Sequence, residues 1–255
     1  MQDSSVVLIG IGEIGGVLAR GFLRAGFPLV PVNRSDDMNQ VAAQIPKPAL
    51  VVTSVAEKDL HPVLAAIPDS WRERLCLVQN ELLPRDWMQH GIEHPTVASI
   101  WFEKKPGTDV NPLVPTPVYG PSADLVCKAL QQLDIPASEL GSATELLFEL
   151  VRKNLYILTT NIAGLVTGGT VSELWQQHRT LAIEVAEEVL ALQAWLCGEK
   201  LDNKALIAAM LVAFDGDPQH RCTGRSAPAR LARALALAEE AGIDTPVLQR
   251  IQAEQ

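Results

Sequence analysis

The 255-residue sequence has no surplus of basic charge: 21 lysines and arginines stand against 30 aspartates and glutamates, a formal charge of −9. No run of Lys or Arg offsets that balance, so neither nucleic acid nor an anionic membrane surface is an expected partner, because both need a basic face. Long apolar runs are missing too. The longest, such as LALQAWLCG at residues 190–198, fall well short of the roughly 20 residues that span a bilayer. The start, MQDSSVVLIG, lacks the basic segment and long apolar core of a signal peptide, so the expected location is cytoplasmic. The four cysteines, Cys76, Cys127, Cys197 and Cys222, form no C-x-x-C pair and read as reduced thiols. His220 with Cys222 is too small a set for zinc, and His61, His90, His94 and His178 are scattered along the chain, so no metal is expected. A G-x-S-x-G elbow and a Walker A sequence are also absent.

What is present divides into two textures. From Ser5 to about Gly120, short apolar runs (VVLIG, PLVPVN, ALVVTSV, RLCLVQN, TVASIWF, TPVYG) alternate with helical stretches. Runs that are apolar throughout indicate strands of a parallel sheet covered on both faces. From about Thr144 onward the β signal stops and helical periodicity takes over, as in LFELVRKNLYILTTNIAGLV, TLAIEVAEEVLALQAWLCG, NKALIAAMLVAF and APARLARALALAEEAG. Gly242 closes the last of these as a helix C-cap, with Pro246 shortly beyond. The expected fold is therefore an α/β N-terminal Rossmann-type domain with a parallel-rich sheet over residues 1–143, followed by an all-α C-terminal domain over residues 144–255. Enzymes of this build usually place the active site in the cleft between the halves.

The first βα turn carries chemistry. Gly10-Ile11-Gly12-Glu13-Ile14-Gly15 fits G-x-G-x-x-G between a strand (Val6 to Ile9) and a helix (Val17 to Arg24). The first glycine permits the tight turn, the second lets a pyrophosphate approach the backbone, and the third lets helix pack on strand. The helix N-terminus then offers its free N–H groups to the phosphates. The residues after the second strand choose the dinucleotide. An NAD site normally has Asp or Glu there for the ribose 2′-hydroxyl, whereas this chain has Asn33, Arg34 and Ser35. A guanidinium and a hydroxyl suit a 2′-phosphate, which favours NADP(H). Asp36 and Asp37 follow closely and leave NAD open.

In order along the chain, Gly10-x-Gly12-x-x-Gly15, Asn33-Arg34-Ser35, Val78-Gln79-Asn80, Thr116-Pro117-Val118-Tyr119-Gly120-Pro121 and Val151-Arg152-Lys153 resemble the ketopantoate reductase (2-dehydropantoate 2-reductase) family over nearly the whole sequence. The resemblance implies a Rossmann-type NADP domain, a helical second domain, and reduction of a 2-keto group by hydride from NADPH. It places Lys153 at the catalytic lysine, Asn161 at a substrate-contacting asparagine, and Asn80 beside the nicotinamide. The departures are specific. Glu81 replaces the glycine after Asn80, Ile157 replaces a second asparagine, and Val55 stands where a cofactor lysine is common, although Lys58 follows. Counting back from Ala241-Gly242-Ile243 places Ser226 at the family's catalytic glutamate. No glutamate occurs between Glu199 and Glu239; the acids in that interval are Asp202, Asp215 and Asp217.

Ketone reduction needs a hydride on carbon and a proton on oxygen, and a desolvated lysine can supply the proton while stabilising the developing charge. Lys153 is thus a candidate donor. The alternative is a solvated partner of Glu149, four residues earlier. Asn161 either binds substrate or caps or bends its helix before Ala163-Gly164. The loop around Asp215 to Cys222, with Arg221 and Arg225, reads as solvated or as a carboxylate-binding element. Three functional readings follow. The first is an NADP(H)-dependent reductase of a small 2-keto acid or related carbonyl, with a small-molecule substrate and a homodimer allowed as its assembly. The second is a non-catalytic NADP(H)-binding sensor or regulatory protein that has lost the catalytic glutamate. The third is an imine or β-hydroxyacid reductase of the same architecture.

Overall fold

The unbroken apolar runs of the first half become the inner strands of a parallel sheet. The computed structural model describes residues 4–255, which group into two units, one ending at Glu149 and the other Leu150–Gln255. In the first, the chain forms β1 (Val6–Ile9), α1 (Glu13–Arg24), β2 (Leu29–Val32), α2 (Met38–Gln44), β3 (Leu50–Thr53), α3 (Leu60–Ala66), β4 (Leu75–Leu77), α4 (Pro84–Met88), β5 (Thr96–Ala98), β6 (Phe102–Glu103), β7 (Asn111–Pro112), β8 (Thr116–Tyr119), α5 (Ala123–Gln131) and β9 (Ala137–Glu139). Among the described residues, the main sheet has seven strands in the order β2-β1-β3-β4-β5-β8-β9. All neighbours run parallel except β5 and β8. Every residue of β1, β3, β4 and β5 is buried, the signature of strands covered on both faces. In edge strand β2 only Val32 is buried.

Helices α1 and α5 cover part of this sheet with an apolar cluster. Val17, Leu18 and Phe22 of α1 and Val126 and Leu130 of α5 pack with Val6, Leu8, Leu50 and Val52 of the inner strands. The order β2-β1-β3 means that the chain leaves β1 to one side and returns to β3 on the other. That reversal opens a crevice beyond the carboxyl end of β1, the place where open α/β sheets take ligands.

Two details of the sheet differ from the sequence reading. TVASIWF does not stay in one strand: Thr96–Ala98 pairs with β8, while Phe102–Glu103 moves to a separate ribbon with β7. Strand β9, ASE, was not anticipated. Two of its three residues are exposed, so it carries no apolar signal, and only its parallel pairing with β8 makes it a strand.

The second half is helical: α6 (Ala143–Thr167), whose first turns belong to the first unit, then α7 (Val171–Gln177), α8 (Arg179–Cys197), α9 (Asn203–Gly216), α10 (Ala227–Ala241) and α11 (Pro246–Ala253). Local chemistry marks several ends. Ser142 Oγ accepts from Glu145 N at 3.2 Å while Glu145 Oε2 accepts from Gly141 N at 2.8 Å, starting α6. Thr170 and Glu173 form the reciprocal capping box of α7, a T-x-x-E signal the sequence reading passed over. Gly242 ends α10 with φ +66 as expected. Beyond it the chain resumes as α11, whose first amides, Val247 N and Leu248 N, donate to the carboxylate of Glu188 on α8 at 2.8 and 3.0 Å.

Candidate functional site

Only Gly10, Ile11 and Gly12 lie between β1 and α1, so the turn is as tight as the motif requires. Gly10 adopts φ +85, a backbone region closed to most side chains. Its carbonyl accepts a 2.5 Å hydrogen bond from Ser54 Oγ, and its amide donates to Val32 O at 3.0 Å. A Cβ on Gly15 would overlap the Gly10 carbonyl oxygen and lie 2.6 Å from Ser54 Oγ, so the third glycine is where α1 meets the turn. A Cβ on Gly12 would meet nothing within 4 Å. That open side, at the amino end of α1, fits a pyrophosphate approaching the backbone. Ile14 is partly buried against the core, and Ile11 is exposed. Glu13, in the first turn of α1, is ion-paired with Lys104 Nζ at 3.1 Å, a partner the sequence gave no reason to expect.

Gly10, Ile11 and Gly12 share a pocket of about 560 Å³ with Asn33, Arg34 and Asp36 at the ends of β1, β2 and β3. Neither aspartate that followed the Arg34 turn faces a ligand as an unengaged acid. Asp36 Oδ2 accepts from Asn33 N at 2.6 Å, and Asp37 caps α2 by accepting from Asn39 N at 2.9 Å and Gln40 N at 3.4 Å. Ser35 is exposed in the same turn. Arg34 instead meets an acid from elsewhere: its Nη2 is 2.8 Å from Asp59 Oδ2. Asp59 also lines the pocket, and sequence reading missed it because it lies 25 residues away.

Beyond β4, Gln79 is buried and ties the strand ends together. Its Nε2 donates to Thr53 O at 2.7 Å and its Oε1 accepts from Val78 N at 3.1 Å. Asn80 follows in the turn, partly buried. Glu81 has φ +58. The residue that stands where the resembling family has glycine thus keeps a glycine-like backbone.

In the helical unit, Lys153 is partly buried on α6. Burial pushes its ammonium down to about 7, and the charges of Arg230 and Arg152 add to the shift. Arg152 is held by a 2.9 Å bond from its Nε to Ala209 O of α9. Asn161, about 12 Å further along α6, neither caps nor ends the helix, which continues to Thr167. Its Oδ1 accepts from Arg230 Nη1 at 2.7 Å and its Nδ2 donates to Cys222 O at 3.2 Å. Ser226 is exposed at the N-cap position of α10 with no side-chain cap bond, and its carbonyl accepts from Arg230 N at 2.9 Å. Arg230, a residue the sequence reading did not single out, thus holds Asn161 and adds its charge to the shift of Lys153. A signal existed. Arg230 falls in the rhythm of the buried face formed by Ala227, Leu231, Ala234 and Ala238, where an arginine is out of place.

The polar loop before α10 is held rather than loose. Val171 N donates to His220 O, Ser172 N to Pro218 O, and Cys222 N to Gly169 O. His61 and His90 are not apart as their sequence positions suggested: Nδ1 of one lies 3.1 Å from Nε2 of the other. Among the described residues no group of three or more His, Cys, Asp or Glu is placed to hold a metal ion, and no helix is long and apolar enough to cross a membrane.

No protein-family model matches the sequence, and no curated protein matches it. Solved structures do match. A ketopantoate reductase from Ralstonia eutropha has TM-score 0.66 at 13% identity, with 98% of this chain and 96% of that one covered. A ketopantoate reductase from Staphylococcus aureus, described as dimeric, has TM-score 0.64 at 16% identity, covering 98% and 96%. A D-mandelate dehydrogenase solved in complex with NADH has TM-score 0.64 at 12% identity, again covering 98% and 96%. The chain has the fold of these reductases and dehydrogenases: a Rossmann-type sheet domain followed by a helical domain.

Proposed function

We propose that the protein is an NADP(H)-dependent oxidoreductase that reduces the carbonyl group of a small 2-keto acid or a related compound. The observation that carries this reading is the glycine turn, open at Gly12 and sharing a pocket with Asn33 and Arg34. Lys153, an amine that burial pushes down toward neutral pH, is the proton donor. A group so poised both holds a proton and releases it readily. NADPH, when bound, supplies the hydride. Backbone amides from Gly12 to Gly15 at the start of α1 hold the pyrophosphate, and Arg34 with Ser35 and Asn33 holds the adenosine 2′-phosphate. Lys153 Nζ donates its proton to the carbonyl oxygen, and its positive charge stabilises that oxygen as negative charge develops. Asn80 in the first unit and Ser226 in the second are further candidates for substrate contact, and Asn161 acts by holding Arg230 in place. The cysteines, none of them in a disulfide among the described residues, suit a reducing cytoplasm, and a homodimer is the assembly we favour.

Ser226 supports a narrower statement. It carries no charge where the resembling family has a glutamate, and the interval from Glu199 to Glu239 contains no glutamate to replace it. Ketopantoate is therefore a poor substrate, and another carbonyl compound is preferred. The same observation favours the second reading, a dinucleotide-binding sensor without turnover. Mixing the protein with NADPH and a panel of 2-keto acids, and following the nicotinamide absorbance, tests both. Turnover of any member supports the reductase. Cofactor binding without turnover supports the sensor, and failure to bind either nicotinamide dinucleotide overturns both.

A further inference from the structure

Resting on the reading of the first unit as a nicotinamide dinucleotide site, we propose that Asp59 and Arg34 act as a pair that selects the cofactor. Arg34 takes the 2′-phosphate of NADPH and Asp59 takes the 2′-hydroxyl of NADH, so the pocket accepts both nucleotides with a narrowed preference for NADPH.

Three observations converge on Asp59. First, the end of β2 has no acid of its own for a ribose hydroxyl, and the two that follow are engaged: Asp36 by the amide of Asn33, and Asp37 by the first amides of α2. Second, Asp59 reaches the same pocket from the connection after β3 and lies 2.8 Å from Arg34. Third, Asp59 is the last residue of a 3-10 turn (Glu57–Asp59) that runs straight into α3, so its carboxylate is not used as a helix cap and reaches Arg34. The topology thus delivers from another loop the carboxylate that an NAD site usually carries at the end of its second strand.

The chemistry at this point is balanced. A 2′-phosphate gains charge-assisted bonds to the guanidinium but is repelled by the carboxylate already beside it. A 2′-hydroxyl donates to that carboxylate and meets no repulsion. The arginine side chain is 88% exposed and the aspartate side chain 34%. The ion pair is thus at the solvent edge, where such pairs are weakly held and reopen for an incoming ligand.

Calorimetric titration of the full chain with NADPH and with NADH tests the assignment. In Asp59→Asn, NADPH should bind more tightly and NADH more weakly, raising the affinity ratio about tenfold. Arg34→Ala should invert the preference toward NADH. Asp59→Ser is the second variant if Asp59→Asn does not fold, with the same expected direction. A ratio in the Asp59 variants within about twofold of the unaltered protein overturns the selector, while leaving the cofactor reading intact. If the unaltered protein binds neither nucleotide, the cofactor reading itself falls.

Discussion

Asn161 on α6 and Arg230 on α10 are each other's buried partners, with Oδ1 accepting from Nη1 at 2.7 Å and both residues only 9% exposed. The contact spans 69 positions of sequence and closes the amide's needs together with Cys222 O. A guanidinium buried this deeply is tolerable only while its donors are satisfied.

Removing that acceptor should therefore be felt in stability before it is felt in chemistry. Asn161→Ala is expected to lower unfolding stability by about 1.5–3 kcal/mol, the usual worth of a hydrogen bond to a charged group. Asn161→Asp keeps an acceptor and should recover most of the loss. Urea unfolding curves measure both. A loss below about 0.5 kcal/mol for the alanine variant would mean that the bond does little for the fold.

Lys153→Met keeps side-chain length and helix propensity while removing the charge. If Lys153 is the proton donor, kcat should fall about 10²–10⁴-fold. In the unaltered protein the rate should decline as pH rises through about 7, because the amine loses the proton it must give. Stability has its own sign. The folded-state value lies below the ordinary 10.5 of an exposed lysine. The penalty of holding a buried charge is therefore fully present below about pH 7 and is relieved as pH rises toward 10.5. Lys153→Met should accordingly raise the melting temperature more at pH 6 than at pH 9. Retention of more than half the activity would remove Lys153 from the catalytic role.

The second and third glycines of the cofactor turn should fail differently. Gly15→Ala forces a Cβ onto the Gly10 carbonyl and Ser54 Oγ, so the turn itself must shift and the melting temperature should fall. Gly12→Ala meets no neighbour and should fold normally, yet bind NADPH at least about tenfold more weakly, because the methyl group occupies the pyrophosphate's approach. Thermal melts paired with cofactor titrations separate the two. Undiminished affinity in Gly12→Ala would place the pyrophosphate elsewhere.

Glu81 holds a left-handed backbone at φ +58, which disfavours a residue with a Cβ by about 1–2 kcal/mol. Glu81→Gly should release that strain and raise the melting temperature by about 2–4 °C. A lower melting temperature in calorimetry would show that the glutamate side chain contributes more than its backbone costs.

The features legible in the sequence were those whose causes lie within a few residues of each other. The glycine turn, its flanking apolar strands, the αL cap at Gly242 and the periodic helices of the second half all follow from local spacing. The Thr170–Glu173 box that starts α7 was equally local. Strand β9 was not, since its residues are mostly polar and exposed and its identity comes from β8.

The amino-acid sequence alone thus determined the class of fold and the place of the phosphate-binding turn, because hydrophobic periodicity and backbone permissiveness act over one or two helical turns. Only the tertiary structure decided which charged groups meet. The sheet order β2-β1-β3 carries Asp59 to Arg34, and the pairing of α6 with α10 brings Arg230 to Asn161 and sets its charge against Lys153. Charges act through space, across partners 25 and 69 residues apart, and their separation is fixed by how the elements pack rather than by their order along the chain.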